Sequence, residues 1–109
     1  MDFFKLNFSN VYIRGQNENR WQLCTDDLMQ KYTDQKVSVK GVSWDYAKNN
    51  PVVTGKNYII YIPSISEWPG GDMKTVKVDG ILRFSPAPKH GQSAGDHYFI
   101  ENPQWEVIR

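Results

Sequence analysis

The chain writes valine-x-valine-x-glycine twice, in "KVSVKGVSWD" (36–45) and again in "TVKVDGILRF" (75–84). Both stretches alternate as a strand does, with side chains two apart on the same face. In the first, Val37, Val39 and Gly41 share one face while Ser38, Lys40 and Val42 share the other; in the second, Val76, Val78, Gly80, Leu82 and Phe84 line up together. Glycine weakens the middle of a β-branched strand, and its usual reasons for being there are a bulge, a sharp coil or a second backbone passing close. Two such strands in 109 residues point to a sheet curled tightly enough to close. Gly41 and Gly80 are the places where it can bend.

The rest of the chain supports a mainly β fold in one domain over residues 1–109, with N-terminal strands and a short helix in 1–35 and a barrel in 36–109. "DFFKLNF" reads as a strand or an extended arm, and "NVYIRGQNENRWQL" as strand, turn and strand. "CTDDLMQKY" predicts a helix of two to three turns. Thr25 or Asp26 caps its first amides, Asp26 and Asp27 sit at its positive end, and Leu28, Met29 and Tyr32 form its apolar side. "DYAKNNPVVTGK" carries turn signals and reads as a long connection. "NYIIYIP", apolar on both faces, reads as a central, well-covered strand, and "SISEWPGGDM" as a short strand followed by a turn at 69–72. "SPAPKHGQSAGD" is a loop, and "HYFIENPQWEVIR" is one strand broken at Asn102 and Pro103, or two short ones.

This order of elements resembles the OB-fold, in particular small bacterial OB-fold domains in which a helix leads into a V-x-V-x-G strand. The resemblance covers residues 36–109 and implies a small closed or partly open OB-like β-barrel with one short N-terminal helix. The helix usual between the third and fourth strands has no counterpart, because only "PGGDM" is available there. The helix before Val37 is then a candidate for closing the barrel bottom, and another small barrel or a β-sandwich stays open as an alternative.

Composition narrows the chemistry. Lys+Arg 13 against Asp+Glu 12 leaves a formal net charge of +1, which supplies no strong chain-wide attraction to phosphate or to an anionic membrane. The single cysteine, Cys24, excludes an internal disulfide and a cysteine-based zinc site, and reads as a small buried hydrophobe. No apolar run is long enough to cross a bilayer, so membrane insertion is not expected. "MDFFKLNFSN" lacks the pattern of a secretory signal, although an earlier cleavage would leave the compartment open; the oligomeric state is not indicated by the sequence.

Where the OB-fold resemblance holds, it implies ligand binding on the face of the second and third strands, between loops 45–56 and 85–96. The residues expected near that face are Trp44, Tyr46, Tyr61 and Trp68, with Lys48, Lys56, Arg83, Lys89 and His90 around them. Aromatic rings interleaved with cations can stack bases and hold phosphates. A domain this small also needs aromatic area inside, so core or partly buried packing is the first expectation for Trp44 and Tyr61, while Trp68, beside Pro69 and two glycines, is expected at the surface. His90 and His97 form no tight ligand pair with Asp96 or Met73 and read as exposed loop histidines, so no metal or other cofactor is expected. No nucleophile elbow, phosphate loop or metalloprotease helix occurs, so no enzyme is expected. The sequence therefore reads as a non-enzymatic binding module for a protein partner or another ligand. Single-stranded nucleic-acid binding is the alternative, and low charge along "HYFIEN" leaves pairing of two copies possible at an edge.

Overall fold

The computed structural model describes residues 10–45, 50–86 and 95–108. Seven strands and one helix follow in the order β1 (Tyr12–Gly15), β2 (Gln22–Leu23), α1 (Asp26–Tyr32), β3 (Lys36–Asp45), β4 (Pro51–Thr54), β5 (Ile59–Tyr61), β6 (Thr75–Ser85) and β7 (His97–Val107). The "DFFKLNF" arm lies outside the described residues, as do Tyr46, Lys48, Lys89 and His90.

The two glycine-bearing strands close the sheet. β3, β4, β5, β7 and β6 pair in that order, and β6 returns to β3, so five strands form a closed barrel. All contacts in the ring are antiparallel except β5 with β7. This small barrel is compatible with an OB-like fold. β3 is long enough to serve two neighbours: residues 36–42 pair with β6 on one edge, and residues 42–45 pair with β4 on the other. The edge that β4 leaves uncovered takes β1, from Tyr12 opposite Lys40 to Gly15 opposite Val37.

Gly41 stands where that edge changes partner. A Cβ there would lie 2.7 Å from Val53 Cγ1 and 3.1 Å from the Thr54 carbonyl oxygen. At Gly80 the fit is tighter still, since a Cβ would meet Ile100 Cγ2 at 2.3 Å and the Glu101 carbonyl oxygen at 2.8 Å. Gly80 faces a bulge in which Asn102 and Pro103 of β7 oppose it alone, with Asn102 at φ 55. Proline has no N–H to lose in a bulge, so β7 continues as one eleven-residue strand through the point where a break was foreseen.

Several expectations need correction. "PVVT" is the second barrel strand rather than part of a connection: Pro51 takes the first position, where a strand tolerates proline, and Val52 and Val53 are fully buried. β5 is central, paired on both edges, but covered on one face only; Ile60 is buried while Ile59 is 37% exposed. No strand forms between residues 62 and 74. Tyr98 and Phe99, in the stretch considered for pairing two copies, have both edges occupied, by β5 and β6.

One apolar cluster fills the interior, drawing on Val37, Val39, Val53, Ile60, Val78, Leu82 and Ile100 from the barrel and on Met29 and Tyr32 from α1. Thr25 caps α1 as the sequence predicts, its side chain accepting from the Leu28 N–H at 3.2 Å. The helix lies at the end of the barrel where β3 begins. There the Asp34 N–H donates to Leu82 O at 2.6 Å, the Leu82 N–H donates to Gln35 O at 3.0 Å, and the Tyr58 hydroxyl donates to Asp26. The opposite end, below the span between the third and fourth barrel strands, is closed by Trp68 instead. α1 thus covers one end of the barrel, with Met29 and Tyr32 in the core, and Trp68 is buried at the other.

Candidate functional site

Trp68, expected at the surface, is 5% exposed. Its indole N–H donates to the carbonyl oxygens of Trp44 (3.0 Å) and Val52 (3.1 Å), and its ring stands at 90° to Trp105 with centroids 5.3 Å apart. The turn after it, closed by Gly71 N–H to Trp68 O at 2.9 Å, folds the indole under the barrel. A buried ring with its one donor satisfied is a structural plug.

Three other expected site residues share one row on the outward-facing side of the sheet, a row interrupted by the buried Val52. Strand register places Trp44 beside Val52, Val52 beside Tyr61, Tyr61 beside Phe99, and Phe99 beside Arg83. Trp44, expected in the core or partly buried, is 41% exposed because its neighbour Ser43 takes the inward position. Tyr61 is half-buried, its ring edge-on to His97 at 4.9 Å. Arg83 is tied down by Asp34 (2.9 Å) and Glu101 (2.8 Å), which raise its pKa further and leave it a brace between the α1–β3 turn and β7.

Beyond Tyr61 the surface falls into a groove of about 730 Å³ at the helix end of the barrel. Its walls are α1, the β4–β5 hairpin and the start of β7. Rings dominate: Phe84 lies 5.1 Å from Tyr98, Tyr98 lies 6.3 Å from Tyr58, and Tyr61 with His97 continues the series. Phe84 is 43% exposed although it belongs to the inward face of β6, because the barrel opens there. The charged groups along the groove are Asp26, Asp96 and Lys56. Burial, together with the bond to Asp26, pushes the Tyr58 phenol above its ordinary value and keeps it a neutral donor.

The sequence reading missed Asn57, which locks the groove's hairpin to the N-terminal strands. Its Oδ1 accepts from the Val11 N–H at 2.7 Å, while its Nδ2 donates to Val11 O at 3.1 Å and Cys24 O at 2.9 Å. Phe84, Tyr58, Tyr98 and Ile59 were also missed as site residues. The signal for them was the density of rings in "NYIIY" and "HYF", which without the register cannot be assigned to one surface.

Cys24 is buried, and burial pushes its thiol up to about 12, so it is no nucleophile at neutral pH. Among the described residues no three of His, Cys, Asp and Glu stand together as a metal site, and no helix is long and apolar enough to cross a membrane. Compared with known proteins, the chain matches no family model, no curated protein and no solved structure.

Proposed function

We propose that the protein is a non-enzymatic binding module that takes up a segment of a partner protein in the groove at the helix end of the barrel. The observation that carries this reading is the run of rings from Tyr61 and His97 to Tyr98 and Phe84, with Ile59 and Phe84 left 37% and 43% exposed. Rigid aromatic side chains around a concave, partly apolar surface are what anchor residues of a protein segment require. The kinship with small bacterial OB-fold domains belongs to the same proposal. The alternative, a single strand of nucleic acid on this surface, has that kinship behind it. The charges do not favour it, because Asp26 and Asp96 outnumber Lys56 along the groove.

The test is selection of peptides from a displayed random library against the full chain, followed by binding to Ile59→Ser and Phe84→Ser variants. Enriched peptides should carry apolar anchors and lose binding to both variants. Peptides that bind both variants as well as the parent would place the site elsewhere, and no enrichment over an unrelated barrel would remove the proposal.

A further inference from the structure

The aromatic groove at the helix end carries a charge pattern that limits what can fill it. Rings from Tyr58, Tyr61, Phe84, His97 and Tyr98 line it, and among the described residues its charged groups are Asp26, Asp96 and Lys56. Two carboxylates against one ammonium leave this lining net negative, on a chain whose formal net charge is +1. The carboxylates come from different walls, since Asp26 opens α1 and Asp96 immediately precedes β7. Asp26 is held in place by the Tyr58 hydroxyl, which donates to its Oδ1, and it stands in no ion pair among the described residues.

The rings are inclined to one another rather than stacked. Phe84 and Tyr98 meet at 58°, Tyr98 and Tyr58 at 51°, and Tyr61 and His97 at 62°. An aromatic face is negative, and a cation within about 6 Å of its centroid is attracted to it. These contacts run in one direction, from the exposed Phe84 through Tyr98 and Tyr58 to the Asp26 carboxylate. A neutral apolar side chain laid along that line would gain the rings and leave Asp26 without a counter-charge. An acidic one would meet two like charges. A basic side chain suits both parts, because it has an apolar stem to cover a ring and a cation at its tip.

We infer that the partner segment places a lysine or arginine side chain in this groove, its stem against Phe84 and its cation over Tyr98 and Tyr58 beside Asp26. The inference rests on the reading of the groove as a docking site for a protein segment. It is tested by selecting peptides against the full chain from two matched displayed random libraries, one complete and one without Lys and Arg. The complete library should yield peptides that carry a basic residue and lose binding to Phe84→Ser, and the depleted library only weaker binders. Replacing the basic residue of such a peptide by norleucine, which keeps an alkyl stem and removes the charge, should weaken binding about tenfold. Asp26→Asn, which still offers Tyr58 an acceptor oxygen, should weaken the basic peptide similarly and leave the norleucine peptide unchanged. Peptides that depend on Phe84 yet bind equally well with norleucine, or equally well to Asp26→Asn, would overturn this inference and leave the docking site standing. Equally tight binders from the depleted library, lost on Phe84→Ser, would do the same. Peptides indifferent to Phe84→Ser, or no enrichment from either library, would remove both.

Discussion

The two ends of the barrel are closed by different physics. At one end a single indole is buried, its N–H shared between two carbonyl oxygens and its face set against Trp105. At the other end Met29 and Tyr32 of α1 are buried in the core as well, and side-chain hydrogen bonds are added to that burial: Asn57 clamps Val11 and Cys24, Tyr58 donates to Asp26, and Tyr32 donates to Glu18 at 2.5 Å. Apolar burial seals a surface and leaves nothing to bind. Hydrogen-bonded clamps fix the backbone while leaving Ile59 and Phe84 open to solvent, and this is the end with the aromatic groove. The contrast teaches where stability and recognition reside in a barrel of this size.

The comparison can be broken most readily at Trp68. Trp68→Ala should lower the unfolding free energy by about 3–5 kcal/mol, read by urea denaturation; a loss of under about 1 kcal/mol would mean that the indole is no plug. Next in size is Asn57→Ala, which removes three hydrogen bonds and should cost about 1–3 kcal/mol by the same measurement, without altering packing around Trp105. A third prediction uses pH. The bonds from Tyr32 and the Gly15 N–H hold the Glu18 carboxyl below its ordinary value of 4.5, so its contribution is fully present above pH 4.5 and is lost as pH falls through the lower, folded value. Glu18→Gln should therefore flatten the acid side of the stability profile, whereas Trp68→Ala should shift the whole profile down without changing its shape. The smallest effect on stability belongs to Phe84→Ser, within about 1 kcal/mol of the parent; its consequence should appear in peptide binding instead.

Legibility in the sequence followed the range of the interactions. Helix α1 and its Thr25 cap were readable because both depend on residues within one turn. The curled sheet was readable from Gly41 and Gly80, since a glycine inside a β-branched strand marks a bulge, a sharp coil or a close backbone approach, and both positions do meet close neighbours. β4 was hidden because Asn-rich and Gly-rich turns on each side outweighed two valines whose burial comes from β3 and β5. Trp68 was misread for a related reason: its proline and glycine neighbours describe a turn, and a turn can lead a ring inward as readily as outward. Of the aromatic groove, Tyr61 was found, but the strand register that joins it to Phe99 and places Phe84 beside Tyr98 is a property of the closed sheet.

Native-state hydrogen exchange tests the difference between the two ends most directly, because it reads local opening amide by amide. At the Trp68 end the informative amides are Ser43, bonded to Lys74 O at 2.8 Å, and Ile62, bonded to Pro51 O at 2.9 Å; at the helix end they are Met29 and Leu82, bonded to Thr25 O and Gln35 O. The account predicts that Ser43 and Ile62 exchange only through global unfolding, while Met29 and Leu82 exchange through a smaller opening of the helix end. Equal protection at both ends, or faster exchange at Ser43 and Ile62, would contradict it.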